Sequence, residues 1–142
     1  MYASVSDFVI RVGEVQSIEL TDREGNGEVN ESVLQIALDD SSSQIDGALA
    51  GRYRLPLKTI PRNLTRICCD LARYRLCSMS GVTITDEIIA RYKLSLKELD
   101  DIASGKVSLG LEDDVDNASD ALANGVQFVN GNSRVFSRDK PY

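Results

Sequence analysis

Three long segments of the sequence repeat apolar residues every three to four positions, the period of an α-helix with one buried side. In the first of these segments the stripe comprises Val33, Ala37, Ser41, Ile45 and Leu49. Each long segment has a residue suited to a helix start at its beginning and a glycine after its end. Two shorter helical segments precede the three long ones in the chain. The sequence therefore predicts a mainly α protein, a small bundle of four to five helices. The predicted helices cover residues 7–12, 14–20, 30–50, 62–78 and 86–104.

The character of the sequence changes after residue 111. Residues 107–111 alternate apolar and small side chains, which suits a short strand or an extended arm. Residues 112–142 are acidic, rich in Asn, Ser, Ala and Gly, and poor in large apolar side chains. Such a composition predicts a flexible C-terminal arm. One apolar and basic patch inside it suggests a segment that docks on a partner, the alternative being a solvated tail. The patch consists of Arg134, Val135, Phe136 and Arg138.

The complete absence of histidine narrows the chemistry available to the chain. It excludes Ser-His-Asp and Cys-His nucleophiles, imidazole general bases and most zinc sites. Cys68, Cys69 and Cys77 are an odd set with two adjacent members, which predicts reduced thiols near the core. No glycine-rich phosphate loop or nucleophile elbow is present. We therefore expect a protein that is not an enzyme and that needs no cofactor.

The loop that starts at Asp22 is the sharpest motif and resembles the first half of a calcium-binding EF-hand loop. Oxygen-bearing residues occupy loop positions 1, 3, 5, 7 and 9, with glycine at position 6. Position 12, where an EF-hand carries a bidentate glutamate, is Val33. The interpretation we favour is a polar turn before a helix, with weak calcium binding as the alternative. The candidate ligands are Asp22, Glu24, Asn26, Glu28 and Asn30.

Charge is distributed very unevenly in a chain whose net charge is −6. Residues 1–50 carry ten acidic and two basic residues, whereas residues 52–77 carry seven basic residues and a single acidic one. This split fits attraction between neighbouring subunits, and it equally fits neutralisation inside one subunit. Nucleic-acid binding is a third option, although exposed aromatic residues are not interleaved with the basic residues of this segment. The candidate interface arginines are Arg52, Arg54, Arg62, Arg66, Arg73 and Arg75.

Membrane insertion and secretion find no support in the sequence. No apolar run approaches 18 residues, and the start MYASVSDFVIRVGE lacks a basic stretch ahead of an apolar one. We therefore expect a protein of the cytoplasm with no membrane partner.

Two stretches carry a resemblance to a known family: AGRYRLPL at residues 50–57 and DLARYRL at residues 70–76. Together with RVFSRD at residues 134–139, they make the chain resemble the small virion proteins of Mu-like phages and prophages, a domain of unknown function. The resemblance covers nearly the whole chain. That family is in turn similar to the helical head–tail connector, or adaptor, proteins of tailed phages, which form rings beneath the portal.

This resemblance implies a role that the residues alone do not specify. It implies a connector-like domain at residues 1–111 and a docking arm at residues 112–142, with further copies of the chain and portal or neck proteins as partners. DNA would pass through the ring without being bound specifically. The protein would reside in the host cytoplasm during assembly and then in the virion neck. The alternatives are a calcium-binding interaction protein and a small nucleic-acid-binding regulator.

Overall fold

The computed structural model describes residues 1–111, which form five α-helices with no strand among them. The mainly α prediction is confirmed. The predicted tail at 112–142 and its docking patch, Arg134, Val135, Phe136 and Arg138, lie outside the described residues. The helices are α1 (Val5–Val12), α2 (Glu14–Thr21), α3 (Glu31–Leu49), α4 (Arg62–Ser80) and α5 (Asp86–Ala103).

Side-chain caps begin three of the helices, and α1 starts at Val5, two residues before its predicted start at residue 7. Ser4 caps α1 through a capping box, in which its Oγ accepts the N–H of Asp7 at 3.1 Å and the Asp7 carboxylate accepts the N–H of Ser4 at 2.9 Å. Asn30 caps α3 by accepting the N–H of Val33, and Thr85 caps α5 by accepting the N–H of Ile88.

Glycines in the positive-φ region separate the helices where the chain must turn. Gly13, at φ +97°, ends α1 and immediately precedes α2, so the two short helices form a corner. Gly81, at φ +72°, ends α4 two residues later than the predicted end at residue 78. The helix continues to Ser80 because no residue before Gly81 interrupts it.

Helices α3 and α4 lie at the centre of the fold, and the other helices pack on them from two sides. Helix α5 runs antiparallel to α4: Ser95 donates to Asp70 at 3.2 Å, and the rings of Tyr74 and Tyr92 stack with centroids 4.0 Å apart. Helices α1 and α2 pack on α3 and α4, and neither contacts α5. The domain therefore has an α1–α2 side and an α5 side.

The serine run at residues 41–43 is where another element approaches α3 closely. Helix α3 continues through it without interruption. Ser41 Oγ donates to the carbonyl of Ala37 at 2.7 Å, while Ser42 Oγ accepts the N–H of Tyr2 at 3.2 Å and lies 3.6 Å from Cys68 Sγ. Small polar side chains thus let the N-terminal segment and α4 come close to α3.

Residues 104–111 fold back beside the connector between α3 and α4. They contain no strand. The N–H of Leu109 donates to the Tyr53 hydroxyl at 3.1 Å, and Arg52 Nη1 donates to the carbonyl of Ile102 at 3.2 Å. The connector and the end of α5 are therefore joined by side-chain hydrogen bonds. Among the described residues, no helix is long and apolar enough to cross a membrane.

Leu71→Ala should lower the free energy of unfolding by about 2–5 kcal/mol, because it leaves a cavity at a fully buried position of α4. Leu94→Ala makes the same chemical change on α5 at a side chain that is 52% exposed, and should change stability by about 0.5 kcal/mol or less. Urea denaturation of both variants measures the difference. Equal losses would contradict the assignment of Leu71 to the core.

Candidate functional site: the basic connector and α4

Helix α4 carries arginines because only part of its circumference is buried. Leu64, Ile67 and Leu71 fill the core, and the arginines stand on the flanks of this stripe. Arg66 is neutralised within the subunit: its guanidinium donates to Asp70 at 3.0 Å and also contacts Glu98 of α5. This ion pair ties α4 to α5, so Arg66 has an internal role.

Arg73 and Arg75 have neutral partners instead of acidic ones. Lying two positions apart, they leave α4 on different flanks. Arg73 Nη2 donates to Gln16 Oε1 of α2 at 2.8 Å, and Arg75 Nη2 donates to Gln44 Oε1 of α3 at 2.7 Å. The Nε atoms of both are buried without a hydrogen-bond partner, and neither arginine forms an ion pair within residues 1–111. Two half-buried positive charges are thus left without a carboxylate in this part of the chain.

The remaining candidate arginines lie on or beside the connector. Arg52 donates to the last turn of α5, and its guanidinium carbon lies 5.5 Å from the centroid of the Tyr53 ring. Arg54 and Arg62 are exposed, as is Lys58 between them, and none of the three forms an ion pair with residues 1–111. The connector therefore presents the accessible part of the basic segment.

An open groove of about 610 Å³ runs along this connector. Its walls are contributed by residues 53–59 and by Gly110 and Leu111. Apolar side chains lie between two basic ones, Arg54 and Lys58, in the lining. The sequence does not predict this groove, because its walls come from two distant parts of the chain. The available signal was the alternation of basic and apolar residues in RYRLPLK.

The loop at residues 22–30 is organised by its first residue. Asp22 Oδ1 accepts the N–H of Gly25 at 2.8 Å and that of Asn26 at 3.0 Å, while Oδ2 accepts the N–H of Gly27 at 2.7 Å. These backbone hydrogen bonds, that of Gly27 foremost, hold the pKa of Asp22 below its ordinary value of 3.8. Both carboxylate oxygens thus cap backbone N–H groups.

The other candidate calcium ligands serve the same turn or the helix after it. The Asn26 amide donates to Glu24 at 3.3 Å, Glu28 is exposed, and Asn30 caps α3 while donating its own N–H to Thr21 at 3.0 Å. No group of three or more Cys, Asp or Glu residues within residues 1–111 is placed to hold a metal ion. The loop is built as a carboxylate-capped turn before α3, and calcium binding stays a prediction.

All three cysteines are free and buried. Burial raises the pKa of the Cys69 thiol to about 12 and also raises the pKa of Cys68 and Cys77. The thiolate is the nucleophilic form, so these thiols are poorly reactive at neutral pH. They act as small apolar residues in the core.

The model of the family described as Bacteriophage Mu, Gp36 matches residues 2–128. The chain belongs to this family. Its match includes every described helix, the basic connector and the arginines of α4. The resemblance inferred from AGRYRLPL and DLARYRL is therefore confirmed at the level of the family, and the protein is one of Mu-like phages and prophages.

Two individual relatives of this chain show how far the similarity extends. The Mu-like prophage FluMu protein gp36 of Haemophilus influenzae is 45% identical over 86 residues, which is 61% of this chain and 59% of that protein. The chain thus aligns with about three fifths of that relative's length. Gene product J of Escherichia phage Mu is 34% identical over 112 residues, 78% of this chain and 77% of that protein.

Acid should weaken the loop that Asp22 organises. Because the folded pKa of Asp22 lies below 3.8, its stabilising contribution is complete above that pH and is lost as the pH falls through the lower folded value. Asp22→Ala should therefore lower stability at neutral pH and reduce its pH dependence below about 4. Urea denaturation between pH 2 and pH 7 measures both effects.

Glu24→Ala is the matched control, since Glu24 lies in the same loop but accepts one side-chain hydrogen bond, from Asn26. Its pH profile should follow that of the unmodified protein. If Asp22→Ala and Glu24→Ala behave alike, the capping role of Asp22 is wrong.

Proposed function

We propose that this chain is a structural virion protein, a head–tail connector that assembles into a ring on the portal at the neck of the particle. Membership of a Mu phage family and the similarity to connector proteins noted in the sequence support this role. The observation that carries it is the positive charge of the loop between α3 and α4 in a chain whose net charge is −6. Arg54, Lys58 and Arg62 are exposed there and form no ion pair within residues 1–111.

The negative half of such an interface lies on the same subunit. Residues 1–50 hold ten of the 22 acidic residues. Glu14, Glu19 and Asp40 are exposed on α2 and α3 and form no ion pair within residues 1–111. Opposite charges on different faces of one subunit attract the next copy head to tail, and such contacts form a ring when the rotation closes.

Arg73 and Arg75 form a second, half-buried part of the proposed interface. A half-buried guanidinium without a counter-ion has lost part of its hydration and has not regained it through an ion pair. A carboxylate from a neighbouring subunit or from the portal supplies that partner on assembly. Arg66 differs, because Asp70 and Glu98 already neutralise it.

The other partners follow from the charge and from the placement of the aromatic residues. An acidic ring repels DNA phosphates, so DNA passes through without specific binding. Tyr53 is buried, and Tyr74 and Tyr92 stack on each other, so these rings are not presented to nucleotide bases. The protein is in the host cytoplasm during assembly and then in the neck, with no reaction of its own, no cofactor and no membrane partner.

Cryo-electron microscopy of intact particles should show this chain as a ring between the portal and the tail. Co-expression of the full chain with the portal protein of the same phage should give a portal–ring complex in which the chain is ordered. The portal expressed alone is the control for the added density. Particles whose neck lacks the chain would refute the connector role.

Replacing Arg54 and Arg62 together by glutamate should weaken ring formation on the portal at low salt, since it reverses the accessible charge. The unmodified protein should assemble less well as salt rises, whereas the variant should show a smaller loss. Arg91→Glu makes the same type of change on exposed α5 and should assemble normally. Salt titrations followed by sedimentation velocity measure this difference. Identical titration curves for the double variant and the unmodified protein would show that the loop between α3 and α4 is not an interface.

Arg73 and Arg75 need a gentler substitution, because each forms a hydrogen bond inside the subunit. Arg73→Gln with Arg75→Gln removes both charges and keeps an amide donor for Gln16 and Gln44. We expect weaker assembly with a smaller salt dependence, and a melting temperature close to that of the unmodified chain. A large loss of melting temperature with normal assembly would assign both arginines to the fold alone.

A further inference from the structure

We propose that a second copy of this chain docks the corner between its α1 and α2, led by Ile10 and Val15, into the groove formed by residues 53–59 and 110–111. This inference rests on the ring proposed above and names the surfaces that meet in it. Its apolar part supplies the affinity that surface charges alone do not provide.

The corner is the most exposed apolar feature of residues 1–111. The side chain of Ile10 is 82% exposed and that of Val15 is 73% exposed, the two highest values among the exposed large apolar residues. They lie on either side of Gly13, whose positive φ separates α1 from α2. Phe8 already anchors α1 in the core, so Ile10 is not needed there. Two strongly exposed, large apolar residues on either side of one turn make this corner a candidate interaction site.

The groove has the matching chemistry. Leu55, Pro56, Leu57 and Leu111 contribute apolar surface to it. Its volume of about 610 Å³ lies within the range of about 300–1,000 Å³ of pockets that hold a ligand. It therefore has room for two branched apolar side chains from a neighbouring subunit.

No residue of the corner is among those that line the groove. Helices α1 and α2 contact α3 and α4 but not α5. The groove is held at the end of α5, where Arg52 bonds to Ile102 and Leu109 bonds to Tyr53. A copy whose groove is filled keeps its own corner free for the next copy, which gives the head-to-tail contact. This is the contact that a ring requires.

Charge favours the same pairing. Residues 5–21 carry three acidic residues and one basic residue, Arg11, whereas residues 52–59 carry three basic residues and no acidic one. Glu14 and Glu19 of the corner are exposed, as are Arg54 and Lys58 at the groove. The two glutamates meet the two bases when Ile10 and Val15 enter the groove. Arg11 carries the same sign of charge as Arg54 and Lys58, and it does not pair with either of them in this arrangement.

Disulfide trapping tests the contact in the full-length chain. Ile10→Cys and Leu57→Cys are made in separate chains, mixed, assembled on the portal and oxidised mildly. We expect a covalent dimer in the mixture and none when either variant is used alone, because a head-to-tail contact brings 10 and 57 together but not 10 to 10 or 57 to 57. The native cysteines are buried, and the unmodified chain controls for them.

A matched control places the cysteine on another exposed leucine. Leu94→Cys lies on α5 at 52% exposure and should not link to Leu57→Cys. A chain that carries both Ile10→Cys and Leu57→Cys should give a ladder of covalent oligomers that ends at the size of the ring. Equal linkage from position 94 would overturn the proposal.

Loss of the apolar side chains gives an independent measure. Ile10→Ser and Val15→Ser should each weaken ring association about tenfold, given the apolar area that each buries on docking. Leu94→Ser should leave association unchanged. Unchanged association of the corner variants, with melting temperatures preserved, would overturn the proposed contact.

Two results would separate this inference from the proposed function. A ring in the neck without linkage between positions 10 and 57 overturns the contact and leaves the connector role intact, whereas absence of the chain from the neck refutes the role itself. The sequence continues from Leu111, at the groove, with Glu112, Asp113 and Asp114. If Leu57→Cys links to Val115→Cys within one chain in the assembled ring, the groove is taken by that segment and the proposal is wrong.

Discussion

The packing of α3 against α4 is the contact on which the rest of this structure depends. Small side chains at Ser41 and Ser42 let α4 approach closely enough for Cys68 Sγ to lie 3.7 Å from the carbonyl of Leu38. Every other helix packs on this pair, α1 and α2 from one side and α5 from the other. Because interiors are close-packed, the pair also determines which flanks of α4 remain accessible. The two-sided character of the subunit follows from this arrangement.

The same arrangement explains why arginines that look equivalent in sequence have different environments. Arg66 faces α5 and is neutralised by Glu98, whereas Arg73 and Arg75 face glutamines on α2 and α3. Arg54, on the connector, stays exposed. In the interface proposed above, the exposed charges would steer the approach of a partner, and the half-buried ones would gain a counter-ion when it arrives.

The candidate calcium loop shows where a side-chain pattern misses the backbone. The spacing of Asp22, Glu24 and Asn26 suggests oxygens converging on an ion. In the fold, three backbone N–H groups reach the Asp22 carboxylate first, because glycines allow the chain to wrap around it. The favoured interpretation, a polar turn before a helix, agrees with this geometry. The groove could not be predicted from the sequence, because no local pattern connects residues 53–59 with Leu111.

The sequence by itself determined the helices, their order and nearly all their ends, since these depend on neighbours within a few residues. Apolar period, the caps Asn30 and Thr85, and a stop such as Gly81 act locally. It also determined the uneven distribution of charge. Only the tertiary structure decided which arginine meets a carboxylate, that Ile10 stands outside the core, and that the connector and the end of α5 enclose a groove. Those outcomes depend on contacts between residues far apart in the chain, and no local pattern in one sequence encodes them.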